Sequence, residues 1–192
     1  MFDIIQRNIA RHIDLTKEEF DYFTSLIQVK RLRKKQFLLE EGEICRHEGF
    51  INSGCLRQYY LDKKGQEHIV QFAISDWWIG DQSSFLTDRP SCYFIDALED
   101  SQVLLIEKPA LKDLYMKVPK FERFFRIAFQ NSYVALQNRI LATLSQTAKE
   151  RYLHFHNHYA AIEQKVPQHQ VASYLGIKPE SLSRLRRELM AK

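Results

Sequence analysis

Hydrophobic and polar positions change period twice along the 192-residue chain. Phe20, Phe23, Leu26 and Ile27 recur at helical spacing, and Thr16-Lys17-Glu18-Glu19 ahead of them has the form of a capping box. Residues 1–13 read as a shorter helix or arm. From Val29 the pattern becomes short strands. Val29 to Arg33 alternates, Gln36 to Leu39 is a second apolar run, and Glu41-Gly42-Glu43 marks a turn. Glu48 to Asn52 and Cys55 to Leu61 are separated by Ser53-Gly54. Asp62-Lys63-Lys64-Gly65 is a hairpin loop before the return strand Glu67 to Ala73. Phe94 to Leu98 and Ser101 to Glu107 form a further hairpin around Glu99-Asp100. Many short strands between regular turn signals predict a β-sandwich or jelly roll, with Trp77 and Trp78 as packing residues.

At Lys108 the period returns to helical. Pro109 suits a first helical turn, and Ala110 to Val118 form a short helix. After Pro119, residues 120–144 run without Gly or Pro, enough for a helix of about 37 Å. Its apolar residues Phe121, Phe124, Phe125, Ala128, Phe129, Leu136, Ile140 and Leu144 cover more than one stripe. One face is expected on the β domain and another against a second copy. Thr147-Ala148-Lys149-Glu150 repeats the capping-box form, which places a helix break and hinge near Ser145–Thr147. Tyr152, Leu153, Phe155 and Tyr159 supply packing for the next helix.

The last pattern is V-P-Q-H-Q-V-A-S-Y-L-G-I-K-P-E-S-L-S-R-L-R-R-E-L, residues 166–189. Val171, Ala172 and Leu175 share a face of a first short helix. Gly176 stops it, because glycine accepts the left-handed exit. Ile177 plugs the turn, Pro179 starts a second helix, and Leu182, Leu185 and Leu189 form its buried stripe. Glu180, Ser181, Ser183, Arg184, Arg186 and Arg187 remain outside. Arginine donates two hydrogen bonds to guanine, glutamate accepts from cytosine, and serine serves bases or phosphates. The expectation is a helix-turn-helix, with an ordinary basic helical hairpin as the alternative.

Charge placement favours the first reading. The formal net charge is +4, and residues 145–192 hold eight Lys or Arg against four Glu, so the whole excess lies there. Phosphate attraction is the simplest reason to concentrate it. A hydrophobic fraction of 45% and a charged fraction of 27% are ordinary for a globular chain, which excludes a disordered or fibrous class. No apolar run is long enough to cross a membrane and the N-terminus is too polar for a signal peptide, so a cytoplasmic location is expected. Cys45, Cys55 and Cys92 are odd in number and far apart. They suggest neither a zinc site nor an iron–sulfur cluster, and three reduced thiols are expected.

Helical arm, jelly-roll strands, long helix, hinge and helix-turn-helix, with E-R-Y-L-H-F and the 166–189 segment as the strongest stretch, resemble the Crp/Fnr (cyclic-AMP receptor-like) superfamily of transcription regulators, most of all its Bacteroidetes-type branch. The resemblance covers essentially the whole chain. It implies an α+β fold: a cyclic-nucleotide-binding-like jelly-roll sensor domain over 1–118, a dimerisation helix and hinge over 119–146, and a helix-turn-helix DNA-binding domain over 147–192. It also implies a homodimer that binds a promoter, expected to be palindromic, and recruits or blocks RNA polymerase. Carried onto this sequence, Glu180, Ser181 and Arg184 are the base-reading positions, with Lys178, Arg186 and Arg187 nearer the phosphates. Pro179 stands where relatives often have another arginine. The sequence ends at Lys192, so the C-terminal wing of many relatives is expected to be lacking.

The sensor departs further. Relatives that bind cyclic AMP carry Gly-Glu, a short helix, then Arg-Ser/Thr-Ala. Here the run is I-G-D-Q-S-S-F-L-T-D-R-P-S-C-Y-F-I-D-A-L. Gly80 matches, and Asp81 is one methylene shorter than the ribose-binding glutamate. Ser91 stands where the phosphate arginine belongs, with Cys92 after it and Arg89 two residues early. A phosphodiester buried without a cation is costly. Gly80, Asp81, Gln82, Ser83, Arg89, Ser91 and Cys92 therefore mark a candidate effector pocket whose effector is expected not to be cyclic AMP. No cofactor or metal is expected, and the effector's identity is open.

Two rivals remain. A regulator without a ligand, controlled by a protein partner, shares the DNA function. A cupin-like metal enzyme needs closely spaced histidines on the strands, where only His47 and His68 occur. His154 and His158 share a helix face, which fits a solvated surface better than a metal site. No nucleophile–base constellation is visible, and an enzyme is not expected.

Overall fold

The computed structural model describes residues 1–190. It places α1 (Asp3–Ala10) and α2 (Lys17–Ser25) ahead of the strands. The first capping box forms: Thr16 Oγ accepts the Glu19 N–H at 3.3 Å and Glu19 Oε2 accepts the Thr16 N–H at 2.8 Å. The strands are β1 (Gln28–Leu32), β2 (Phe37–Leu39), β3 (His47–Ser53), β4 (Cys55–Leu61), β5 (Glu67–Ile74), β6 (Trp78–Ile79), β7 (Phe94–Ala97) and β8 (Ser101–Glu107), with α3 (Gln82–Thr87) between β6 and β7. They pair antiparallel in two four-stranded sheets, ordered β1-β8-β3-β6 and β2-β7-β4-β5. This is the expected jelly roll.

Ile51, Leu56, Ile95, Ala97, Val103 and Leu105 belong to one buried core together with Ile5, Ile9, Phe23, Phe121, Phe124 and Phe125 from the helices. Phe23 stacks on Phe121 at 4.8 Å between ring centroids, and Trp78 meets Phe125 edge-on at 5.2 Å. The tryptophans thus serve packing, as expected.

α4 (Lys108–Lys117) leads into α5 (Lys120–Ser145). On α5 the fully buried residues lie near its start and the exposed apolar ones farther along. Phe121, Phe124 and Phe125 are buried on the β domain. Tyr133, Val134, Leu136, Ile140, Leu141 and Leu144 form an exposed apolar stripe farther along. The reason is reach: α5 is 26 residues long, about 39 Å, and its far end runs off the β domain's main core.

α5 ends where the sequence predicts. Gln146 is extended (φ −104°, ψ 150°), and Thr147 opens α6 (Ala148–His158) with a second complete capping box. α7 (Ala160–Lys165), which the sequence pattern does not announce, precedes α8 (Gln168–Leu175) and α9 (Pro179–Met190).

These last helices share a second core with the outer face of the β2-β7-β4-β5 sheet. Cys55, Tyr59, Ile69 and Phe72 are buried with Tyr152, Phe155, Ile162, Val171, Ala172, Leu175, Leu182 and Leu185. That explains why β4 is buried continuously from Cys55 to Tyr59: a strand covered on both faces loses its alternation.

Candidate nucleic-acid interface and sensor pocket

The α8–α9 unit is built by its turn. Gly176 adopts φ +65°. The Ile177 N–H then reaches the Ala172 carbonyl at 3.0 Å, and the Gly176 N–H reaches that of Ser173 at 3.1 Å. This is a Schellman closure, which satisfies carbonyls the helix end would otherwise leave open. Leu182 and Leu185 bury the inner side of α9 against α8 and α6.

Successive helix residues turn by about 100°, so burial of the leucines decides which side chains face out. Glu180, Ser183, Arg184 and Arg187 are exposed, and Lys178 is exposed just before the helix. Ser181 flanks the buried stripe and is half-buried. Arg186 also differs from an outer position. It is half-buried and lines a groove with Tyr152, His156, Glu163 and Leu189. Four residues after buried Leu182 and three before Leu189, it sits at the edge of the packed side rather than on the crest with Arg184 and Arg187. Arg184 lies 3.9 Å from Glu188 across one helical turn, both well exposed. Such a pair is worth little and releases readily.

The sensor residues are occupied internally. Asp81 is buried and caps α3, accepting the Ser83 and Ser84 N–H groups at 3.0 and 3.2 Å. Gln82 Nε2 donates to Glu48 Oε1 at 2.6 Å. Glu48 is almost fully buried, and that burial pushes its carboxyl up to about 7. A Cβ on Gly80 would lie 3.4 Å from Glu48 Oε2. Ser83 is exposed, and its carbonyl accepts the Thr87 hydroxyl at 2.7 Å. Ser91 Oγ accepts the Tyr93 N–H at 3.0 Å. Arg89 and Cys92 are exposed. The sequence residues therefore surround α3, but Arg89 stays outside rather than entering beside Asp81.

The other candidate chemistry resolves into structure. His154 and His158 stack with centroids 4.2 Å apart. No group of three His, Cys, Asp or Glu is placed to hold a metal among the described residues. No helix among them is long and apolar enough to cross a membrane. Cys45 and Cys55 are buried and Cys92 is exposed, all as free thiols.

Three residues that matter were not legible from spacing. Arg57 lies buried between Asp96 and Glu67 on the sheet face toward the C-terminal helices. Arg139 of α5 and Arg151 of α6 both reach carbonyls of α8.

Residues 29–118 match the cyclic nucleotide-binding domain family. The fumarate and nitrate reduction regulatory protein of Vibrio cholerae is 28% identical over 183 residues, covering 89% of this chain and 72% of that protein. The regulatory protein HlyX of Actinobacillus pleuropneumoniae is 26% identical, covering 89% of this chain and 75% of its own. Among solved structures, FixK2 from Bradyrhizobium japonicum superposes with a TM-score of 0.74 at 18% identity, over 86% of this chain and 85% of that one.

Proposed function

The chain belongs to the Crp/Fnr superfamily of transcription regulators, and on that premise we propose that it is a homodimer that reads promoter DNA with α9, under a sensor whose effector is not cyclic AMP. The observation that carries the DNA reading is the crest of α9. Glu180, Arg184 and Arg187 stand exposed on a helix whose opposite side is locked by Leu182 and Leu185. Glutamate and arginine have the acceptor and the paired donors that distinguish base edges in the major groove. Lys178 and Arg187 serve the phosphates, and Ser181 reaches a base or phosphate from the flank. Arg186 supports the helix from the groove side.

Two copies suit this task because a recognition helix covers only a half-site. The exposed stripe on α5 is the surface we assign to pairing. Contact with RNA polymerase follows from the same reading. The effector reading rests on α3: Asp81 and Ser91 already satisfy backbone N–H groups, and Arg89 is exposed. A phosphodiester entering there would displace those bonds without meeting a cation.

One titration tests both halves. Duplex DNA from the protein's own upstream region is titrated with wild type, Arg184→Ala and Arg187→Ala, with and without cyclic AMP. Arg184→Ala should weaken specific binding by about 1–3 kcal/mol and relax one base position. Arg187→Ala should lower the salt slope by about one with little change in base preference. Cyclic AMP should leave every curve in place. A wild type that binds this duplex no better than random DNA refutes the regulator reading, and a cyclic-AMP-dependent gain refutes the effector reading.

A further inference from the structure

We propose that Arg139 and Arg151 are positioning residues that clamp the C-terminal end of α8 from the two sides of the hinge and so fix the angle at which α9 is presented. The inference rests on the DNA reading above and adds its control point.

A helix end leaves its last carbonyls without partners inside the helix. In α8 the turn closes on two of them, Ala172 and Ser173. The next two are taken by arginines. Arg139 Nη2, from α5, donates to the Tyr174 carbonyl at 3.1 Å. Arg151 Nε, from α6, donates to the Leu175 carbonyl at 3.0 Å. Cations at a helix C-terminus also meet the negative end of its dipole. Gln146, the extended residue between α5 and α6, lies between the two arginines in sequence, and its carbonyl accepts from Arg151 Nη1 at 2.7 Å. The hinge is thus spanned rather than free.

Arg139 also fastens α8 to the sensor. β5 is an edge strand of its sheet. Its register against β4 shifts between Gln58 and Tyr59, which makes Val70 the extra residue of a bulge. In a regular strand the carbonyls of Ile69 and Val70 point opposite ways. Here Arg139 holds both, through Nη2 to Ile69 at 3.0 Å and Nη1 to Val70. Ser173 of α8 completes the seam, with Oγ accepting the Ile69 N–H at 3.0 Å and donating to the Glu67 carbonyl at 3.1 Å. The Arg139 guanidinium lies 4.1 Å from the Tyr174 ring centre, and that ring packs on Phe72 and Phe155.

No carboxylate pairs with either arginine among the described residues. Their work is geometric: a planar fork of donors serves several carbonyls at once, which a lysine ammonium cannot reproduce. One guanidinium therefore joins the sensor sheet, the long helix and the helix-turn-helix. A change in the β4–β5 hairpin is transmitted to α9 through it.

The test is a spin-label distance between native exposed Cys92 in the sensor and Asn157→Cys on α6, in full-length protein diluted with unlabelled chain. Wild type should give one narrow distribution. Arg139→Ala and Arg151→Ala should broaden it, Arg139→Lys should be intermediate, and Arg126→Ala, on α5 but remote from α8, should leave it narrow. The two alanine variants should also lose about tenfold in affinity for specific DNA. If Arg139→Ala does not fold, Arg139→Lys and Arg151→Ala decide. Narrow, unshifted distributions in folded variants overturn the clamp. Broadening in a protein that shows no DNA preference even as wild type keeps the clamp and overturns the DNA reading instead.

Discussion

Arg57→Ala should cost about 3–5 kcal/mol of folding stability, read as a drop in urea midpoint with an unchanged slope. Arg57 Nε donates to Asp96 Oδ1 at 2.7 Å and Nη2 to Asp96 Oδ2 at 3.0 Å, a two-pronged pair between neighbouring strands. Nη1 reaches Glu67, and the guanidinium carbon lies 4.2 Å from the Tyr59 ring centre. Both Arg57 and Asp96 have under a tenth of their side-chain surface exposed. Burial works against the charged arginine, and the hydrogen bonds and charge of Asp96 and Glu67 more than offset it, so its pKa is raised. Removing the arginine leaves Asp96 buried without a cation, which costs more than the pair contributes. Changing both partners, as Arg57→Met with Asp96→Leu, should therefore recover most of the loss. A double variant as unstable as the single one would contradict this.

Leu141→Asp with Leu144→Asp should convert the protein to monomer and reduce specific DNA affinity by about a hundredfold or more. Both leucines are largely exposed in the single chain, at 61% and 80%, so their loss opens no cavity within it. In a paired helix they would be buried, and burying two carboxylates there is costly. Light scattering gives the mass, and circular dichroism checks that helicity is kept. A variant that stays dimeric would move the pairing surface off this stripe.

The physical reason separates what sequence spacing reveals from what it hides. Both capping boxes, at Thr16 and Thr147, are local, four-residue devices, and both form as the pattern predicts. Gly176 is local too, since its left-handed turn needs no distant partner. The two-residue strand β6 is too short to show a period, and α7 is a six-residue helix between two others. The arginines were hidden for a different reason. Arg57 finds Asp96 39 positions away, and Arg139 finds Ile69 at a separation of 70. Only the register of β4 against β7, and the bulge at Val70, bring them together. A single charged residue in each strand, Arg57 in β4 and Asp96 in β7, was the available signal for the first. Arg186 shows what residue type alone does not give: four residues after buried Leu182 and three before Leu189, it lines a groove at the edge of the packed side of α9. The expectations for DNA contacts at Glu180, Arg184 and Arg187 rest on side-chain chemistry joined to exposure on α9, with Lys178 exposed just before it and Ser181 half-buried on its flank, and the resemblance supplied their roles.

The most direct measurement is selection from random duplex DNA by the purified full-length protein. One sequence with two-fold symmetry should be enriched, its half-sites about one helical turn apart, and Leu141→Asp and Leu144→Asp together should abolish that enrichment. A pool that stays random, or a single half-site bound equally well by the monomeric variant, would contradict it.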